Sequence, residues 1–279
     1  ALAEAGWPVT VLDPGPHGAV TPERVAEALR PETALVSLMH ANNETGVLTP
    51  IEEIAALCRE EGVLLHCDAV QTAGLMALDV EALGVDLLSL SGHKFYGPKG
   101  VGVLYVRGGV DLDPLVEGGS QERRRRGGTE NVAAVVGLAE ALALATEEAE
   151  ARTERLARLQ RRLVEGLCDA LGGGFVLNTP LGEAPVAPHV INVAFPPNGE
   201  VPMDGEMLLL NLDMEGVQAS AGSACTSGAL EPSHVLSALG LPRETASAAA
   251  RFSMGKDTTD EDVDYTVETL ARVVRRMRR

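Results

Sequence analysis

Between residues 34 and 106 short apolar runs alternate with amphipathic stretches of helical spacing, and this alternation limits the fold more than any other feature. Ala34–Met39, Val63–Cys67, Asp86–Leu90 and Gly100–Val106 read as strands, the first of them as a buried one. Between the first two, Thr49-Pro50-Ile51-Glu52 opens a helix, with Thr49 as N-cap, Pro50 in the first turn and Glu52 closing a capping box. Glu61-Gly62 ends it. Strands separated by helices at this spacing predict an α/β domain with a mainly parallel sheet.

The pattern changes after about residue 130. Asn131 to Leu171 is rich in Ala, Leu, Glu and Arg and reads as long helix, broken or bent near Thr146 and stopped by Gly172-Gly-Gly174. Strands are expected at Val190–Phe195 and Ala250–Ser253, a helix near Gly205–Asn211, a Gly/Ser-rich loop at Ser220–Gly228 and a last helix from Thr259. That last helix is acidic at its start and basic at its end, as the helix dipole favours. The expected division is a large domain over 1–146 and a smaller α+β domain over 147–279 carrying the Gly/Ser-rich loop. The chain opens without Met on what reads as a helix tail, a turn at Gly6 and a strand at Val9–Leu12, so the true start is expected upstream.

Composition narrows the function. A formal charge of −17 on 279 residues argues against nucleic acid or an anionic membrane as main partner. A hydrophobic content of 45% argues against disorder. Apolar stretches fall well short of the ~20 residues of a membrane span. Four cysteines in a chain this long do not make a disulfide framework, which points to a reducing compartment, and the cytoplasm is the expected location.

The chemistry gathers at two strand ends. Asp68, followed by Gln71, ends one strand candidate, and Ser91-Gly92-His93-Lys94 follows another. Parallel sheets bind ligands at the carboxyl ends of their strands. A lysine amine with a carboxylate suits pyridoxal phosphate (PLP), whose aldehyde needs the amine and whose pyridine nitrogen needs an acidic partner to act as an electron sink. Ser91 and His93 can hydrogen-bond the phosphate. His66, Cys67 and Asp68 do not read as metal ligands, because adjacent strand residues diverge. Cys67 is expected in the core, and Cys58 and Cys168 as structural thiols. The basic run Arg123–Arg126 reads as a solvated loop, with a place at the rim of an anion site as the sharper alternative.

At this point the sequence resembles the cysteine desulfurases, PLP-dependent enzymes of fold type I. The resemblance rests on Met39-His-Ala-Asn-Asn-Glu-Thr-Gly46, His66-Cys-Asp-Ala-Val-Gln71, Ser91-Gly-His-Lys-Phe-Tyr-Gly-Pro-Lys-Gly100, Arg126-Gly-Gly-Thr-Glu-Asn131, Ser220-Ala-Gly-Ser-Ala-Cys-Thr-Ser227 and Arg251-Phe-Ser-Met-Gly255, in the family's order. It implies that Lys94 holds PLP and shuttles protons. Asp68 would meet the pyridine nitrogen, Gln71 the phenolic oxygen, and Ser91 and His93 the phosphate. Asn43 would lie beside cofactor and substrate, and Arg251 would bind the substrate carboxylate. Thr129 would reach the phosphate in the other subunit of a homodimer. Cys225 would take sulfur from L-cysteine as a persulfide, leaving alanine, and deliver it to an acceptor such as an iron–sulfur scaffold. Lys256, where many relatives carry Arg, is a departure of local consequence.

The resemblance also implies a Thr-bearing phosphate loop and a ring-stacking His upstream of residue 1, so the fold-type I domain is expected to be N-terminally incomplete here and weak in PLP binding. The rival expectations are a selenocysteine lyase or cysteine sulfinate desulfinase, and a non-catalytic truncated scaffold that binds partners.

Overall fold

The computed structural model describes residues 2–199, 201–222 and 232–279. Cys225 lies outside the described residues. The chain forms two compact units, one made of Arg30–His40 and Ile51–Glu150 and the other of Ala1–Leu29, Ala41–Pro50 and Ala151–Arg279. They are called here the Lys94 unit and the Arg251 unit.

The Lys94 unit is built on a four-stranded sheet in the order β1 (Leu35–Met39), β2 (Leu64–Asp68), β3 (Leu87–Ser91), β4 (Gly102–Val106). The first three strands run parallel and β4 pairs antiparallel with β3. A mainly parallel α/β sheet was the expectation. Helix α2 (Ile51–Glu60) buries Ile51, Ile54, Ala55 and Cys58, the apolar stripe of its sequence, and α3 (Val80–Leu83) is capped by Asp79. Helix α4 (Val132–Glu147) carries Leu138 and Ala145 into a small core with Ala73 and Phe95. Strand β1 is not buried as expected, since Leu35, Ser37 and Met39 on one of its faces are exposed.

The Arg251 unit has a three-stranded antiparallel sheet, β5 (Val176–Leu177), β6 (Val190–Ala194) and β7 (Ala249–Ser253), with β6 in the middle and buried at every position. Helix α5 (Ala149–Leu171) places Leu156, Leu159, Leu163 and Leu167 at helical spacing, each fully buried. The break between α4 and α5 falls at Glu148, two residues from the expected bend. Helix α6 (Gly205–Met214) packs on α9 (Asp260–Met277), whose start is fixed by a capping box between Thr259 and Asp262. Short helices α1 (Pro22–Ala28), α7 (His234–Ala238) and α8 (Arg243–Ser247) complete the unit.

Contacts group the chain differently from a cut at 146/147. Residues 41–50 join the Arg251 unit because their backbone is bonded there, Leu48 N donating to Pro185 O and Ala187 N to Gly46 O. The segment before α1 follows them, since Gly18 lies against Val47 and Leu239. Two expectations for the chain start fail. Residues 2–6 form turns rather than a helix tail, and no strand forms at 9–12, where Val9 and Val11 are exposed. A strand needs a bonded neighbour, and none of the described strands lies beside this stretch.

Candidate functional site

Strand β2 delivers Asp68 at its carboxyl end, and the next turn holds the side chain in place. Asp68 Oδ1 accepts the Val70 N–H at 2.9 Å. The chain then turns through Ala69–Thr72, with Thr72 N and Ala73 N both donating to Ala69 O. This turn carries Gln71, which is half-buried. His40, given no role by the sequence, braces it from the end of β1. Its backbone N–H donates to Asp68 O, and its Nδ1 lies 3.0 Å from Thr72 Oγ1. The Thr72 hydroxyl already donates to Ala69 O, so His40 Nδ1 must be the donor. Burial pushes the His40 imidazole below its ordinary pKa, against the pull of Glu52, which keeps it neutral.

Strand β3, parallel to β2, ends at Ser91 and runs into a one-turn 3-10 helix over Gly92–Phe95. A Cβ on Gly92 would stand 3.1 Å from the carbonyl oxygens of Pro98 and Val101, so any larger residue would press on both carbonyls at this turn. Gly92 and Phe95 face inward and are buried, while His93 and Lys94 face outward and are exposed. Ser91 Oγ lies 2.9 Å from His93 Nδ1, pairing the two expected phosphate donors. Asp68 and Lys94 thus follow neighbouring parallel strands at the same sheet edge. A carboxylate, an amine and a hydroxyl–imidazole pair at one edge are the donor set that a protonated pyridine, an aldehyde and a phosphate require, so these residues fit PLP.

Cys67, one residue before Asp68, points to the opposite face and is fully buried, and burial pushes its thiol up to about 12. Cys58 is buried too and its thiol is also raised by burial. Burial and a raised thiol pKa both disfavour the thiolate at these two positions. Cys168 is exposed, contrary to the structural role expected of it, because it lies off the leucine stripe of α5. Among the described residues no His, Cys, Asp or Glu group could hold a metal ion, and no helix is long and apolar enough to cross a membrane. Thr129 is exposed in the loop before α4 and lines, with Arg123, Arg125, Arg126 and the face of β4, a cavity of about 750 Å³. The arginine run thus borders a cavity that Thr129 shares.

In the Arg251 unit the Asn42–Gly46 turn is set by its own sequence. Asn42 Oδ1 accepts from the N–H groups of Glu44 and Thr45, and Gly46 takes the left-handed conformation that closes the turn. The turn presents Asn43 and Glu44 to Arg251 on β7. Arg251 Nη1 donates to Asn43 O at 2.9 Å, while its Nε is buried without a hydrogen-bond partner among the described residues. Burial lowers the Arg251 pKa and the Glu44 charge opposes that shift. A guanidinium held at one nitrogen with another buried and unbonded is suited to a carboxylate. Asn43 therefore meets Arg251 as backbone, which the motif alone did not tell. Glu44, the motif residue without an expected role, is 2% exposed and accepts a hydrogen bond from Ser233 Oγ at 2.5 Å.

Comparison with known proteins gives one consistent answer. The class-V aminotransferase family profile matches residues 1–266. The cysteine desulfurase IscS of Dictyoglomus turgidum is 44% identical over 277 residues, which cover 99% of this chain and 68% of that protein. The IscS of Methanosarcina thermophila is 45% identical, with 99% of this chain and 66% of that one covered. Among solved structures, a NifS-like protein superposes with a TM-score of 0.87 at 36% identity, covering 98% of this chain and 70% of that one. DndA from Streptomyces lividans gives 0.73 at 39%, covering 90% and 69%.

Proposed function

The chain belongs to the class-V aminotransferases and, within them, to the cysteine desulfurases, and from that premise we propose how its own residues divide the work. The enzymes of this family depend on PLP. When bound through the Lys94 amine, PLP supplies an electron sink for the substrate carbon skeleton. Asp68, fixed by the Val70 N–H, meets the pyridine nitrogen, and Gln71 on the braced turn meets the phenolic oxygen. Ser91 and His93 hold the phosphate, and Thr129 contributes to it from the partner of a homodimer. Arg251 takes the substrate carboxylate at the nitrogen left unbonded by Asn43 O.

The Cys225 thiolate then attacks the sulfur of the bound L-cysteine. The S–S bond of a persulfide forms as the C–S bond breaks, and its electron pair stays with the three-carbon fragment. That fragment takes a proton from Lys94 Nζ and leaves as alanine. The Cys225 persulfide passes its sulfur to an acceptor protein of iron–sulfur assembly or thiolation. The −17 charge and the buried reduced thiols Cys58 and Cys67 support a cytoplasmic enzyme that binds no nucleic acid.

The observation that carries this reading is the placement of Asp68 and Lys94 at the ends of adjacent parallel strands. Its test is mass spectrometry of Cys225 after incubation with L-cysteine, alongside the visible absorbance of bound PLP. Lys94→Ala is expected to remove the absorbance and to slow alanine release about a thousand-fold or more. Cys225→Ala is expected to keep the absorbance and lose the sulfur adduct. Alanine release by the wild type without any adduct on Cys225 would overturn the reading.

A further inference from the structure

A polar row crosses one face of the sheet in the Arg251 unit. Asn192 on β6 stands directly opposite Arg251 on β7. On its other side Leu177 pairs with Val193, so the next residue, Asn178, stands opposite Asn192. The backbone of Asn192 is bonded on the β5 side, its N–H donating to Thr179 Oγ1 and its carbonyl oxygen accepting from Asn178 N. The backbone of Arg251 is bonded on its far side, to Ser220 in both directions. Asn192 and Arg251 are therefore a non-hydrogen-bonded pair, the kind in which facing side chains approach most closely, with Cα atoms about 4.5 Å apart.

Asn192 is 0% exposed, and its Oδ1 accepts from Asn178 Nδ2 at 2.7 Å. An amide carries its oxygen and nitrogen on opposite sides, so Nδ2 is left on the side of β7. Among the described residues neither Asn192 Nδ2 nor Arg251 Nε, both buried, has a hydrogen-bond partner. Two donors cannot bond each other. Glu44, whose charge acts on Arg251, gives its Oε2 to Ser233. A half-turn of both amides would keep their mutual bond and turn the Asn192 oxygen towards Nε. The orientation found thus leaves a bond unmade at the residue proposed to hold the substrate. Buried donors without acceptors are costly, and such a cost needs a reason.

We infer that Asn192 is a positioning residue for substrate recognition: held by Asn178, its amide shows Arg251 a donor rather than an acceptor, which leaves Nε unpaired for the substrate carboxylate. The inference deepens the function proposed above and rests on Arg251 as the residue that takes that carboxylate. A carboxylate accepts from two nitrogens of a guanidinium at once, and an internal acceptor on Nε would first have to be displaced. The amide therefore acts on how tightly L-cysteine is held and not on the steps that follow.

The test uses the full chain loaded with PLP and reads KM and kcat for alanine release from L-cysteine. Asn192→Asp has the same shape with acceptors on both sides, and the charge pair it makes with Nε is expected to raise KM about thirtyfold with kcat within about twofold. Asn178→Ala frees the Asn192 amide to turn and is expected to raise KM about fivefold. Adding Asn192→Leu to Asn178→Ala removes the acceptor and should reverse most of that rise, which a merely structural defect would not do. Cysteamine, which has the amine and thiol of cysteine and no carboxylate, is the control. The concentration of it that half-changes the visible absorbance of the cofactor should move by less than about twofold in every variant. An unchanged KM in Asn192→Asp, an equal shift with cysteamine, or a double variant as impaired as Asn178→Ala would overturn the inference. An Arg251→Ala variant with the wild-type KM for L-cysteine would instead overturn the reading beneath it, and is recognised separately.

Discussion

Strand β1 and strand β6 are both five residues of mostly apolar sequence, Leu-Val-Ser-Leu-Met against Val-Ile-Asn-Val-Ala, and they live in different surroundings. Every residue of β6 is buried, including Asn192, whose backbone N–H donates to Thr179 Oγ1 and whose Oδ1 accepts from Asn178 Nδ2. On β1 alternate residues are exposed. The Lys94 unit therefore presents its chemistry at the end of a sheet with one open face, where Ser37, His66 and Ser89 form a hydrogen-bonded row beneath Asp68. The Arg251 unit holds its guanidinium from inside a packed core. On the function proposed above, a cofactor enters the first site and stays, while the second recognises a small charged group, which a rigid surrounding does best.

The contrast can be broken most directly by truncating one side chain in each strand. Ile191→Ala on β6 is expected to destabilise by about 3–4 kcal/mol, a buried side chain leaving a cavity. Leu35→Ala on β1, 46% exposed, is expected to cost about 1 kcal/mol or less. Denaturant unfolding of the two variants measures this. Equal costs would mean that the outer face of β1 is covered in solution.

A smaller effect should appear on acidification. In the Lys94 unit, burial lowers the pKa of both His40 and His66, the latter opposed by the Asp68 charge. The unfolded chain takes up protons below the ordinary imidazole value of about 6.5, where the folded unit resists them. Stability from these two groups is therefore complete above that value and falls as pH drops through the lowered folded values. In the Arg251 unit the shifted carboxyls are Glu23, lowered by its hydrogen bond with the Thr21 side chain, and Asp260 and Asp264, lowered by hydrogen bonds from Arg158 and Arg162, so their contribution is lost only below the ordinary carboxylate range. Amide exchange at pH 5 should thus weaken in β1–β3 before β6–β7. A uniform loss across both sheets would remove the distinction.

Much of this was legible in the sequence where a residue's role depends on its own strand. Asp68 and Lys94 follow apolar runs, and a strand followed by polar residues marks a sheet edge whichever sheet it joins. The α4–α5 break and the start of α9 were legible because helix ends are local chemistry. The strand at 9–12 failed because alternation states what a strand would bury and not whether a neighbour is there to bond it. Cys168 failed because helix position alone did not tell which stripe is covered. Glu44 stood in a quoted motif and had no role, since its partners are 189 and 207 positions away. The signal that could have found it is a carboxylate between a side-chain-capped Asn42 turn and Gly46, a place that orients it inward.

Lys94 sits in the connection between β3 and β4, two strands that pair with each other, and the bonds Gly92 N to Val101 O and Gly97 N to Gly92 O lie within that connection. Arg251, by contrast, reaches its place by a bond to Asn43 across 208 residues. Contacts of short sequence separation close first and long loops close late. Pulse-labelled exchange during refolding should protect the amides of β3 and β4 before those joining Ser220 to Arg251, and simultaneous protection would count against this order. The lysine proposed to anchor the cofactor is then placed while the chain is still closing, and the arginine proposed to recognise the substrate carboxylate arrives only when the whole chain has come together.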